Sequence, residues 1–168
     1  MLPPSLTPAR ESAAKMPSFT PKDAAFAARV RDSFQRQTIM GLIGARLGRV
    51  APGEVEIVLP FRADLCQQHG FFHAGVTSTI ADSAAGYAGY SLFPADSSVL
   101  TVEFKINLLA PADGELLRAV GRVVKPGRTL TVTEAEVFVS KNGSEKPCAR
   151  LSQTLMCLTG RPDMPQAG

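Results

Sequence analysis

Residues 67–92 hold most of the side chains in this sequence that could do chemistry. They include both histidines of the chain, His69 and His73, and a lone carboxylate, Asp82, among small residues. An exposed helix face usually carries several charged side chains, whereas this one has a single acid surrounded by glycine, alanine and serine. Asp82 is therefore predicted to act as an acid, base or nucleophile rather than as a solvated surface residue.

The pattern of small residues also predicts a site for an anion just before this acid. If a helix begins at Ala74, the amides of Ala74, Gly75 and Val76 lack helical partners and point beyond the helix end. Such donors can stabilise a carbonyl oxygen that gains negative charge during attack. The small side chains at positions 74 and 75 would let a substrate reach the backbone.

The spacing of these two features predicts a shared site between two copies of the chain. At about 100° per residue, one side of the helix carries Gly75, Ser78, Asp82, Gly86 and Gly89, and the other carries Val76, Ile80, Ala84 and Tyr87. Asp82 lies about 12 Å from the Ala74 amide at 1.5 Å per residue. That distance is too long for both to act on one carbonyl, so the glycine-rich face is predicted to be a dimer contact.

Two other chemistries are weighed and disfavoured. His69 and His73 have i, i+4 spacing and could bind a metal with Cys66 and Asp82, but the sequence has no second cluster of ligands. No metal is predicted. Cys66 near His69 could form a nucleophile pair, yet nothing in the pattern orients the histidine.

Length and composition predict one soluble domain. The chain has 168 residues, 45% hydrophobic and 20% charged, and no apolar run long enough for a membrane span. The expected boundaries are a flexible N-terminal tail at 1–19, a domain at 20–158 and a C-terminal tail at 159–168. Met16 could be the natural start.

Charge and cysteine content restrict partners and compartment. A net charge of +3 without basic clusters does not favour nucleic acid, and a small anionic ligand fits better. Three widely spaced cysteines, and the lack of a secretory signal, predict a cytoplasmic protein in a reducing compartment.

Periodicity predicts an α+β fold. Thr20 as N-cap and Pro21 after it open an amphipathic helix that runs to about Gln37. Two strands precede the long helix and four follow it, with a hairpin turn at Asn142-Gly143. We expect an antiparallel sheet of about six strands wrapped around one long helix. The predicted strands are 44–50, 54–60, 99–111, 115–125, 129–140 and 148–158.

Four motifs together resemble the PaaI-type branch of the hotdog-fold acyl-CoA thioesterases, over about Gly44 to Leu158. They are His73-Ala74-Gly75, Asp82, the segment Thr101–Asn107 and Gly127–Leu130. The resemblance implies a hotdog fold, hydrolysis of acyl-CoA or aryl-CoA thioesters, and a homodimer or a dimer of dimers. It implies no cofactor, since coenzyme A is part of the substrate.

The same resemblance implies roles for individual residues. The Ala74 amide would polarise the thioester carbonyl, His73 would orient the carbonyl or the loop, and Asp82 would be general base or nucleophile. The family's asparagine falls on Gln67, whose role in positioning water or substrate Gln68 could share. Thr101 would assist the acid, although strict alternation places it on the polar strand face unless a bulge turns it.

Further residues are expected to contact substrate or coenzyme A. Gly75 and Asn107 lie within the motifs, and Gln68 is included because it could share the role of Gln67. The phosphates of coenzyme A would find basic partners among four side chains, Lys105, Arg122, Lys125 and Arg128. Tyr90 is expected in the acyl-pocket wall and Tyr87 in the core, and the acyl group itself stays open.

Two other functions are compatible with the resemblance. One is a non-catalytic acyl-CoA-binding or scaffold protein that keeps the fold. The other is enoyl-CoA hydration, which is disfavoured because that family's Asp/His pair, on a differently spaced loop, is absent. The presence of Asp82 favours hydrolysis over both.

Overall fold

The computed structural model describes residues 18–161 and 163–164. A single turn of 3₁₀ helix, Ala63–Leu65, precedes the long helix. The helices and strands are α1 (Phe26–Arg36), α2 (Thr38–Ile43), β1 (Arg46–Ala51), β2 (Glu54–Pro60), α3 (Ala74–Tyr90), β3 (Ser97–Leu108), β4 (Leu116–Lys125), β5 (Leu130–Lys141) and β6 (Ser144–Thr159). The predicted order of helices and strands is confirmed, with α2 as an addition.

The strands form one six-stranded sheet in the order β1-β2-β4-β5-β6-β3, with every neighbouring pair antiparallel. The hairpin between β5 and β6 turns at Asn142 and Gly143, whose φ angles are 51° and 74°. Both angles are left-handed, which is why an Asn-Gly pair is favoured there. The connection from α3 brings β3 to one edge of the sheet, beside β6.

The sheet curves around α3, and the two approach closely. A side chain added at Gly121 of β4 would collide with the backbone of Ala84, so glycine is needed for this contact. Gly89, predicted on the open face, is instead buried against Leu155 of β6. That prediction was wrong because the sheet and α1 together cover the last turn of α3, where Tyr87, Ala88, Gly89 and Tyr90 are all buried.

The N-terminal helix starts later than the sequence predicted. Asp23 accepts a hydrogen bond from the amide of Ala25 at 2.9 Å and pairs with Arg29 at 3.0 Å. This Asx turn occupies the residues expected to form the first helical turn, so α1 begins only at Phe26. The predicted helix, with Thr20 as N-cap, therefore began five residues before the observed one, whose N-cap is Ala25.

The predicted tails fall partly outside the described residues. Residues 1–17 and 165–168, including Met16, lie outside them, as does residue 162. Phe19 packs against a cluster of Ala88, Leu92 and Val123.

Within the described part of the chain, no helix has the length and apolar character that crossing a membrane requires.

Candidate active site

Asp82 lies on the open face of α3 and is hydrogen-bonded from β3. The Thr101 hydroxyl donates to Asp82 Oδ1 at 2.9 Å. Thr101 pairs with Leu155, but Glu103 pairs with Thr154, so β3 contains an extra residue at this point. This bulge corrects the strict alternation predicted for β3, because it turns Thr101 toward the helix while Glu103 faces away.

A second donor to Asp82, Gln153 of β6, was not predicted. Its side-chain nitrogen Nε2 donates to Asp82 Oδ1 and, at 3.0 Å, to the Thr101 hydroxyl oxygen. Its Oε1 accepts from the Thr133 hydroxyl at 3.1 Å. The sequence did hold a signal, since Gln153 is a polar residue in an alternating buried row with Leu151, Leu155 and Cys157.

The environment of Asp82 disturbs its ionisation in two opposite ways. Burial raises the pKa of the carboxyl group above its ordinary value, because an anion loses solvation there. The hydrogen bonds from Thr101 and Gln153 lower the pKa and so partly offset burial. The net shift is upward, which brings the carboxyl group toward the range useful for a general base.

A cleft of about 330 Å³ opens beside this carboxylate, and we call it the Asp82 cleft. Its walls are largely polar, with Ser83 bonded to Gln37 at 3.2 Å and Ser33 bonded to Tyr87 at 3.2 Å. Tyr87 is buried in the core, as expected, and also lines this cleft. Tyr90, expected in the pocket wall, is fully buried with the Arg29 guanidinium 4.3 Å from its ring centroid.

At the start of α3, only one of the three predicted amides stays open. His73 Nδ1 accepts from the Gly75 amide at 2.9 Å, and the His73 carbonyl accepts from Val76 at 3.0 Å. The prediction of three free donors is thus corrected, because His73 caps its own helix. The Ala74 N–H meets no acceptor among the described residues.

A second, more apolar cleft of about 480 Å³ lies at this helix start, and we call it the helix-start cleft. Gln67 and Ala74 line it together with Phe71, Phe72 and Leu108. The Gln67 side chain accepts a hydrogen bond from the His69 amide, which holds it in the loop. Gln68 Nε2 lies 3.4 Å from His69 Nε2.

The two clefts have no lining residue in common. Within one chain, the structure therefore brings Asp82 and Thr101 together and, separately, Ala74, His73, Gly75 and Gln67.

Two predicted coenzyme A contacts, Lys125 and Arg128, are exposed at the β4–β5 turn. Asn107 is exposed on β3 and pairs in register with Arg150, on the sheet face turned away from α3.

Over residues 18–161 and 163–164, His, Cys, Asp and Glu side chains form no group of three or more that could hold a metal ion.

A six-stranded antiparallel sheet wrapped around one long helix defines the hotdog fold, and this helix carries an open amide at its start and, in a separate cleft, the half-buried carboxylate of Asp82. The family model described as "Thioesterase superfamily" matches residues 69–146. A solved thioesterase family protein from Silicibacter pomeroyi is 50% identical over 80% of this chain and 99% of that one, with a TM-score of 0.79. The chain belongs to the thioesterase superfamily.

Two further relatives are more distant. A Halobacterium salinarum protein, provisionally named an esterase, is 28% identical over 73% of this chain and 82% of its own length. The PaaI protein from the phenylacetic acid degradation operon of Escherichia coli is 18% identical over 82% of this chain and 96% of that one, with a TM-score of 0.73. At that identity the likeness to PaaI establishes the fold alone.

Proposed function

We propose that this protein hydrolyses acyl-CoA or aryl-CoA thioesters to a free acid and coenzyme A. The observation that carries the proposal is Asp82, a carboxylate on the open face of α3 that Thr101 and Gln153 hold beside a cleft. Family membership supports thioester hydrolysis in general. A lone carboxylate among small side chains supplies the base or nucleophile that this reaction needs.

The Ala74 amide would serve the thioester carbonyl. As the carbonyl carbon is attacked, its oxygen gains negative charge, and a positioned backbone N–H at a helix start stabilises it. The cap formed by His73 fixes the orientation of that first turn. His73 would thus act on the reaction by holding the Ala74 amide in place.

Two chemical routes are compatible with this arrangement. In the first, Asp82 takes a proton from water, the resulting hydroxide attacks the carbonyl carbon, and the carbon–sulfur bond breaks to release the thiolate. In the second, Asp82 attacks the carbonyl carbon directly and the carbon–sulfur bond breaks to release the thiolate. Water then cleaves the resulting mixed anhydride, which frees the acid and regenerates the Asp82 carboxylate. Neither route needs a strong general acid, since a thiol has a pKa of about 8.5.

The two clefts would be joined by a second copy of the chain. β3 is an edge strand with backbone groups open to pairing, and on its helix-facing side Phe104 is 44% and Leu108 57% exposed. Pairing of two β3 edges would bury these side chains. It would also bring the open faces of two α3 helices together, so that one copy's Ala74 could meet the other's Asp82.

A dimer of dimers would use the outer face of the sheet. Leu100 of β3 and Leu130 of β5 both pair with Met156 and are 56% and 51% exposed. Val132 adds to the same apolar patch. Such a patch on a soluble domain marks a contact surface, and we assign it to a second dimer.

Replacing Leu130 with lysine should therefore halve the particle mass, from tetramer to dimer, while thiol release per subunit persists. Association would bury the lysine charge away from water without a partner, and this cost disfavours the contact between dimers. Light scattering at matched concentrations measures the mass. The control is Ile39→Lys, another exposed apolar residue, on α2, which should leave the mass unchanged. A tetramer that survives Leu130→Lys would contradict this surface.

The phosphates of coenzyme A would contact exposed basic side chains. Lys125 and Arg128 project from the β4–β5 turn, and Lys105 lies on β3. Arg122 is less available because Glu54 and Glu136 pair with it at 3.0 and 3.7 Å. Gln67, or Gln68 beside it, would position water or substrate near Ala74, with Gly75 as a further contact. Asn107, on the outer face of β3, would contact the coenzyme A portion of the substrate. No cofactor besides the substrate's own coenzyme A is proposed, and the site of action is the cytoplasm.

The test is thiol release from a panel of acyl-CoA and aryl-CoA substrates. We expect saturable release of free coenzyme A for at least one member, detected with a thiol-reactive dye and normalised to a protein-free control. The alternative function, acyl-CoA binding without catalysis, predicts saturable binding by calorimetry and no thiol release from any member. That second outcome would replace the enzyme proposal with the binding one.

A further inference from the structure

We propose that Gln153 is a positioning residue that keeps Asp82 ionised and makes Asp82 Oδ2 the reacting oxygen, with Thr133 fixing the orientation of the Gln153 amide. This inference deepens the proposed thioesterase reaction and rests on it for its kinetic test. It arises from the hydrogen-bonded row Thr133, Gln153, Asp82 and Thr101, which joins β5, β6, α3 and β3.

Every polar atom of the Gln153 amide has a hydrogen-bond partner. The residue is only 1% exposed, and a buried amide without partners would be costly. Nε2 donates to Asp82 Oδ1 and to the Thr101 oxygen, and Oε1 accepts from Thr133. The amide thus uses both of its donors and its acceptor at once.

The orientation of the Gln153 amide is fixed by its partners. An ionised carboxylate only accepts hydrogen bonds, so the nitrogen and not the oxygen of Gln153 must face Asp82. The hydroxyl of Thr133 donates to the other end and holds that orientation. Without Thr133, the amide could rotate and present its oxygen to the carboxylate.

The two carboxylate oxygens of Asp82 differ in their hydrogen-bond partners. Oδ1 accepts from both Thr101 and Gln153, whereas Oδ2 has no donor among the residues that the structure describes. An oxygen whose lone pairs already accept hydrogen bonds from two donors is a poor base. Oδ2 is therefore the oxygen that takes the proton from water or attacks the carbonyl.

Few other charges act on the Asp82 carboxylate. In the Asp82 cleft, the ionisable neighbours are Arg36 of α1, Tyr87 of α3 and Asp163 of the C-terminal segment. Arg36 and Asp163 pair with each other at 2.9 Å, so their fields largely cancel. The side chains of β3 and β6 that hydrogen-bond to Asp82, Thr101 and Gln153, are uncharged, and so is Thr133 of β5 behind Gln153. Hydrogen bonding is thus the main force favouring the anion.

The experiment compares Gln153→Met with wild type in kcat/KM against pH. Methionine matches glutamine in length but cannot donate, so the acidic limb, which reports the free enzyme's Asp82, should move up by about one pH unit. Thr133→Val should move the limb in the same direction by less. Ser152→Ala, an exposed neighbour of Gln153 on β6, is the matched control and should leave the limb in place.

A purely structural role for Gln153 would lower activity or stability without moving the limb. An unmoved limb in both Gln153→Met and Thr133→Val would therefore overturn the proposal, and Thr133→Val still decides if Gln153→Met does not fold. NMR titration of the Asp82 side-chain carbon tests the same shift without any substrate. An upward shift there with no thiol release would support the Gln153 role and reject the proposed hydrolysis.

Discussion

Replacing Asp82 with asparagine should lower kcat for thioester hydrolysis by about 10²- to 10⁴-fold, the usual contribution of a positioned base. The amide of asparagine can still accept from Thr101 and Gln153 through its oxygen, so the site geometry should persist. It cannot take a proton from water or attack the carbonyl carbon. Thiol release under saturating substrate measures the loss, and an unchanged rate would remove Asp82 from the mechanism.

The loss should not come from unfolding. Burial raises the pKa of Asp82, so the folded state disfavours the anion, and ionisation of this group costs stability once the pH exceeds the unfolded value. Asparagine carries no charge to desolvate, so Asp82→Asn should have an equal or higher Tm at neutral pH and no such gain at low pH. Glu103→Gln, on the opposite face of β3, is the matched control and should keep full activity.

Replacing Ala74 with proline should lower kcat by about 10²- to 10³-fold, as removal of one oxyanion donor does elsewhere. Proline has no N–H, yet it is favoured at the first position of a helix. His73 precedes it with φ −65° and ψ 140°, a conformation that a following proline allows. The helix should therefore persist while the donor is lost. Ala74→Gly keeps the N–H and should keep the activity, whereas full activity in Ala74→Pro would exclude this amide from the reaction.

Mixing these two inactive variants tests whether the site is shared between chains. In a heterodimer of Asp82→Asn and Ala74→Pro, one site would combine an intact helix start with an intact aspartate. Random reassociation should then restore about a quarter of wild-type activity, because half of the dimers are mixed and each has one complete site. No recovery, with exchange of subunits demonstrated by mass, would place both groups in one chain and reject the β3 dimer.

The sequence by itself predicted an antiparallel sheet wrapped around one long helix because those signals were local, and the family resemblance added the hotdog assignment. The alternation of apolar residues, the Asn142-Gly143 turn and the apolar side of α3 each fall within a few residues and specify an element without knowledge of its neighbours. The lone acid at Asp82 and the small side chains at Ala74 and Gly75 were visible for the same reason. The start of α1 was missed because Asp23 forms a turn with Ala25 and Arg29 in place of the first helical turn.

Only the tertiary structure decided how Asp82 is held. Thr101 reaches it through a bulge in β3, and strict alternation cannot reveal a bulge because one extra residue reverses the two faces of a strand. Gln153 is 71 residues away in sequence, so its contact depends on the pairing of β6 with β3 and β5. The sequence of α3 thus identifies the acid. The ionisation of Asp82 and the choice of its reacting oxygen depend on hydrogen bonds that exist only after the sheet has closed around the helix.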